Sequence, residues 1–172
     1  MLTEAMIASP GSAGARSTPE GSAELIEKMR AIGLRLDRTG TFWHEGTAVT
    51  HPRLRQALLR WLDVRDDGRD IVRLDEKRYA YVDIDDAHLR ARSARWDGDR
   101  CVVLWDDDRE RELDYGSLRQ AEDHALYAKV DGRLRGRIAA PAYHAIAERI
   151  IEVPGGFALE AAGQRWPIAN AA

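Results

Sequence analysis

With 172 residues and 44% apolar content, the chain has room for one domain or two small lobes sharing a core, large enough to fold without disulfide or metal staples. The 26 basic and 29 acidic residues leave a net charge of -3, with opposite signs alternating as in Arg65-Asp66-Asp67, which is a solvated surface and not the basic footprint of a nucleic-acid binder. The single cysteine, Cys101, excludes an internal disulfide and a multi-cysteine metal centre and fits a reducing, cytoplasmic compartment, and no apolar run reaches the ~18 residues of a membrane span.

Residues 1–21, rich in Ala, Ser, Gly, Pro and Thr, read as a disordered tail. Ser22 is placed to cap a helix over 22–33 carrying Leu25, Ile26, Met29 and Ile32 at helical spacing, with Gly33 as its stop. The period then changes to two: Leu34 and Leu36 alternate with Arg35 and Asp37, and after a turn at 38–40 a second strand follows over 41–44. Thr50 is the expected cap of a helix with Pro52 in its first turn. Leu54, Ala57, Leu58, Trp61 and Leu62 form its apolar stripe, so Trp61 is expected in the core.

Strands over 71–74 and 79–84 follow, joined through Asp75-Glu76-Lys77-Arg78, and then a hairpin over 88–96 and 101–105 with a turn at Asp97-Gly98. After a connector over 117–123 come strands at 125–130 and 133–138, a helix opened by Pro141 and a closing hairpin over 157–160 and 165–168. Aligning Pro52 with Pro141 places Leu54, Ala57, Leu58, Trp61 and Leu62 on Tyr143, Ile146, Ala147, Ile150 and Ile151. The parts also come in the same order in both halves: strand, turn, strand, proline-started helix, hairpin. The expected fold is α+β, mostly antiparallel, built from two diverged strand–helix–hairpin repeats with one helix packed per half. The first spans 34–116 with the middle hairpin, the second 117–172.

Gly40-Thr41-Phe42-Trp43-His44-Glu45-Gly46, Arg53-Leu54, Asp67-Gly68, Leu74 with Glu76-Lys77, and the run 82–87 resemble the bacterial domain-of-unknown-function family numbered 1285. So does the stretch from Leu126-Tyr127 through Pro141 and Gly155-Gly156 to Trp166-Pro167-Ile168. The likeness covers about 38–169. It implies two structurally repeated units with no assigned activity, and ligand binding or signalling as the role. The chain departs from the family pattern at Arg73-Leu74-Asp75 and in the charged turn 106–111.

Candidate chemistry concentrates in two loops of the first half. Trp43-His44-Glu45 supplies an aromatic face, an imidazole and a carboxylate at a tight turn, but strand alternation aims His44 and Glu45 to opposite faces, against a catalytic dyad. Lys77 and Arg78 offer two cations for an anionic group. Tyr127-Ala128-Lys129 stands where the second half has the counterpart of Trp43-His44-Glu45, and the poorer chemistry there points to the first half as the seat of binding. Arg133, Arg135 and Arg137 alternate along one strand, a pattern that grips phosphate or blocks an exposed sheet edge. No histidine pair has metal-ligand spacing, and no cofactor motif is present.

These features favour a non-enzymatic ligand-binding or signalling module for a small anionic or aromatic metabolite or a protein partner. A self-associating structural protein, such as a homodimer, and a hydrolase-like enzyme with a site between the halves are the alternatives.

Overall fold

The structure, a computed structural model, describes residues 19–171, so the tail reading falls almost wholly outside the described residues. The first helix, α1, runs Pro19–Arg30, starting before Ser22 and containing it; Ser22 is therefore no N-cap. The first unit then threads β1 (Leu34–Leu36), β2 (Phe42–His44), β3 (Thr47–Ala48), α2 (Pro52–Trp61), β4 (Leu62–Val64), β5 (Asp70–Arg73) and β6 (Tyr79–Ile84). Its six strands form one sheet in the order β3-β2-β1-β6-β5-β4, antiparallel except where β1 and β6 lie parallel.

The middle segment supplies β7 (Leu89–Asp97), β8 (Arg100–Trp105), β9 (Glu110–Glu112) and a single 3-10 turn at Tyr115–Ser117. The second unit is β10 (Arg119–Gln120), β11 (Leu126–Val130), β12 (Leu134–Ile138), α3 (Ala142–Ala147), β13 (Ile150–Val153), β14 (Gly156–Ala161) and β15 (Gln164–Asn170). Its strands run β13-β14-β15-β10-β11-β12, and β7-β8-β9 continue the same sheet through a parallel β12–β7 pair. The middle hairpin, grouped with the first unit in the sequence, is thus hydrogen-bonded to the second. The fold class is α+β. Both units have the same connectivity: a first strand parallel to the last, antiparallel pairs elsewhere, and the helix between the third and fourth strands.

The core is continuous across both units, from Leu36, Phe42 and Leu59 in the first to Leu126, Ile138, Ile146 and Leu159 in the second, with Trp105 between. Two expectations for α2 change. Its cap is His51, whose Nδ1 accepts from the Leu54 N–H at 3.3 Å, and not Thr50. Its buried face centres on Leu59, while Leu54 is 46% and Trp61 36% exposed. The helix ends at Trp61 and the chain turns into β4, so Leu62 reaches the core as a strand residue and Trp61 is left on the rim.

The units are bolted together by buried polar groups. His88, 3% exposed, bonds Asp70 of β5 through Nε2 at 2.7 Å and accepts the Arg135 N–H of β12 on Nδ1 at 2.9 Å. Both ring nitrogens are engaged, which leaves this His–Asp pair no lone pair for base catalysis. Arg90 donates to the carbonyls of Asp37, Arg38 and Ala87 and to the buried Asp106, drawing the β1–β2 turn onto β7. Burial raises the Asp106 carboxyl, with Arg90 and Arg55 opposing. Among the described residues no helix is long and apolar enough to cross a membrane.

Candidate functional site

The β2–β3 hairpin turns on Glu45 and Gly46, both left-handed at φ 49° and 80°, the two-residue turn that suits the twist of paired strands. Strand register carries it to the same end of the six-stranded sheet as the β5–β6 loop. β1 starts opposite the end of β2, with Leu34 against His44, and runs beside the later half of β6, with Leu34 against Val82, so the first residues of β6 and the loop before them extend past the start of β1. The start of β1, reached from α1, runs between the two loops. His44, Glu45, Lys77 and Arg78 are exposed and Trp43 is half-buried.

Local bonds engage much of this chemistry. Trp43 Nε1 donates to Asp37 at 2.8 Å, and the Arg35 guanidinium lies 5.8 Å from the Trp43 ring. Burial pushes the Asp37 carboxyl upward, but hydrogen bonds from Trp43, Thr39 and Thr41 outweigh it and hold the group well below the usual carboxylate range. Asp75 accepts the backbone N–H groups of Lys77 and Arg78 and pairs with Arg78 Nε at 2.6 Å, so Arg78 is neutralised within its own loop.

The richer arrangement lies on the outer face of the second unit. A groove of about 720 Å³ is lined by Arg119, Lys129, Arg133 and Arg135, with Asp86, Ser117, Tyr127 and Asn170. Four cations face one carboxylate in a chain whose net charge is -3. Arg133 is tied across to the first unit, donating to Val64 O at 2.9 Å and pairing with Asp66 at 3.5 Å. Among the described residues, Arg119, Lys129 and Arg135 have no carboxylate within 4 Å. Arg119 turns to the carbonyls of Gly116 and Leu118, and Arg135 to that of Asp86. Asp86 itself is taken up by Tyr127, whose hydroxyl donates to it at 2.6 Å, and by Arg137 at 3.2 Å. Burial and then this carboxylate raise the Tyr127 hydroxyl above its ordinary value.

The Arg133-Arg135-Arg137 alternation therefore does not block an edge. β12 is an interior strand, between β11 and β7. With Leu134, Gly136 and Ile138 facing the core, the arginines have only the outer face to occupy.

Register shows why the groove is cationic in this unit alone. Arg35 pairs with Trp43 as Arg119 pairs with Tyr127. The Asp37 N–H donates to Thr41 O at 3.0 Å as the Ala121 N–H does to Ala125 O at 2.9 Å. The Asp85 N–H donates to Leu36 O as the Ala171 N–H does to Gln120 O. At matched places the first unit thus carries Asp37, Glu45 and Asp85, and the second carries Ala121, Lys129 and Ala171. In the first unit Asp85 neutralises Arg35 at 2.8 Å. In the second an alanine, Ala171, stands where that carboxylate would be, and among the described residues Arg119 has no acidic partner.

The sequence exposed Tyr127, Lys129 and the arginine alternation, but Arg119 and Ser117 carry no motif, and Asp86 enters only as one member of the run 82–87. Only the hydrogen-bond register brings them to one place. Cys101 is fully buried, and burial pushes its thiol up to about 11, as befits an inert core residue. Among the described residues no three His, Cys, Asp or Glu side chains converge as metal ligands would.

No family model and no curated protein matches the chain. Two solved structures do. A DUF1285 family protein from Silicibacter pomeroyi DSS-3 superposes with a TM-score of 0.67 at 19% identity, covering 81% of each chain. A DUF1285 family protein from Shewanella baltica OS155 gives 0.58 at 15% identity, over 69% of this chain and 93% of its own. The architecture read from the strand order is thus a DUF1285-like fold.

Proposed function

We propose that the protein is a binding module for a small anionic metabolite, a phosphorylated one in the first instance, seated in the groove of the second unit. The observation that carries this reading is the set Arg119, Lys129 and Arg135, three cations lining one concavity of about 720 Å³ and without carboxylate partners among the described residues. Grouping like charges without counter-charges is unfavourable for the fold, and a bound anion relieves it. The volume suits a ligand of nucleotide size or smaller. Guanidinium groups accept phosphate or carboxylate through two parallel hydrogen bonds, and Tyr127 offers a ring edge beside them.

The test is a thermal-shift series of the full chain with inorganic phosphate, pyrophosphate, AMP and citrate. A probe present at 100 times its dissociation constant stabilises by about 2.7 kcal/mol, which is about 5–10 °C for a chain of this size. The stabilisation should vanish in Arg119→Ala/Lys129→Ala and in Ala121→Asp, which installs the carboxylate that the first unit holds at that place. The reading fails if no probe shifts the melting temperature, or if the shift survives in both variants.

A further inference from the structure

Helix α1 is attached to the fold by its charged face. Of residues 23–30, only Glu27 and Arg30 are even half-buried. They meet the outer face of the first sheet through charge and aromatic contacts. Arg30 lies 3.8 Å from the Tyr79 ring centre and donates to the Tyr79 hydroxyl, while Glu27 accepts from the Tyr81 hydroxyl. Arg65 and Arg69 lie 3.9 and 3.6 Å from Glu27, and Arg69 stacks 3.5 Å from the Tyr81 ring centre. The large apolar residues point the other way. Leu25 is 59% exposed, Ile26 49%, Met29 70% and Ile32 38%, and Leu74 in the neighbouring β5–β6 loop is 51% exposed.

A helix normally buries its apolar stripe and leaves its charges in water. Here the reverse arrangement leaves Leu25 and Met29, one turn apart on α1, exposed together with Ile32 just past the helix end, without a partner among the described residues. Such patches on soluble chains mark interaction surfaces.

We infer that this patch is covered by a second copy of the chain, the two α1 helices packing antiparallel about a two-fold axis near Leu25–Met29. The flanking charges select this occupant. Glu24 and Lys28 lie one turn apart on the exposed side, 3.3 Å from each other and each more than two-thirds exposed. An antiparallel copy sets its Lys28 beside this Glu24 and its Glu24 beside this Lys28, so the patch is complementary to itself, as a two-fold interface requires. A lipid surface would demand a basic excess, and residues 23–30 hold two acids and two bases. A patch one helix long is small for an interface, which sets the expected dissociation constant at roughly 1–100 µM.

Sedimentation equilibrium of the full chain from 5 to 200 µM reads this directly, in steps set by that range. The mass of the wild type should rise from 19.3 kDa toward twice that value. Leu25→Glu/Met29→Glu should stay at 19.3 kDa throughout with an unchanged melting temperature, since neither side chain belongs to the core. Met29→Gln, which keeps the side-chain length, should weaken association at least several-fold and covers the case in which the double variant folds poorly. A wild type that stays monomeric overturns the inference, as does a double variant that associates equally well. Co-sedimentation of a monomeric wild type with phosphatidylcholine–phosphatidylglycerol vesicles, lost in the double variant, would overturn it in favour of a membrane surface.

Discussion

Gly136 sits in the middle of β12, between the two arginines that face outward, and its side of the strand meets the Trp105 ring edge-on. A Cβ built there would overlap Trp105 Cζ3 and Cη2 and come within 2.8 Å of Val130 Cγ2. The glycine is not needed for its backbone angles, which are ordinary for a strand; it is needed for the space. Trp105 is 2% exposed and anchored on β8, inside the sheet between β7 and β9, so the ring has no room to retreat. Overpacking a core by a methyl costs about 1–3 kcal/mol and more where the neighbour is rigid. The entropy that alanine removes from the unfolded chain returns about 0.4–1 kcal/mol. Gly136→Ala should therefore destabilise by about 2–3 kcal/mol, lowering the melting temperature by about 5–10 °C. Urea melts followed by far-UV circular dichroism give the number. In a Trp105→Phe background the same substitution should cost under about 1 kcal/mol, because phenylalanine lacks the atoms that clash, a coupling well above the additivity error of distant sites. A single-variant cost below about 0.5 kcal/mol, or equal costs in both backgrounds, would refute the reasoning.

Trp61→Ala should cost less than half as much as Trp105→Ala. A fully buried tryptophan loses about 3–5 kcal/mol on truncation, and Trp61 leaves a third of its surface in water. Equal costs in parallel urea melts would place Trp61 in the core after all. Asp37→Ala should destabilise by about 1–3 kcal/mol at pH 7, since it strands the Trp43 indole N–H and two turn amides. The Asp37 carboxyl is depressed in the folded state, so its contribution is complete above the unfolded value of about 3.9 and is lost as pH falls below it. The cost of Asp37→Ala should accordingly shrink by about 1 kcal/mol between pH 7 and pH 3. An unchanged cost at the two pH values would contradict that assignment.

The element order was readable because each element carries its own local signal. Pro52 and Pro141 start the two helical segments, Glu45-Gly46 and Asp131-Gly132 turn the hairpins, and alternation marks the strands. The face of α2 was not readable. The five-residue stripe assumed a helix continuing through Leu62, and the chain leaves the helix one residue earlier. Arginine alternation on β12 was visible, but whether a strand is an edge or an interior strand depends on pairing between distant segments, here a parallel pair with β7. The groove was harder still. Arg119 is one charged residue in a polar connector, and only the pairing of β10 with both β11 and β15 places it between Tyr127 and Ala169.

The shared connectivity also explains why a binding site would form on one unit and not the other. What builds the frame is alike in both. Gly40 and His124 take the left-handed turn position at φ 87° and 65°, and the buried Phe42 and Leu126 each follow two residues later. Those positions answer to the core, where a change of shape is felt at once. The outer faces are free to differ, and they differ in two ways that act together. In the first unit α1 lies over Tyr79 and Tyr81, and Asp37 and Asp85 saturate Trp43 and Arg35. In the second, the place before the first strand is taken only by the single turn at Tyr115–Ser117, and the matched acids are alanines. One change leaves the face open and the other leaves its cations without carboxylate partners among the described residues. Either alone would give an exposed basic strand or an empty neutral cleft; their coincidence at Ser117, Arg119, Ala121 and Lys129 is what makes an anion-sized groove.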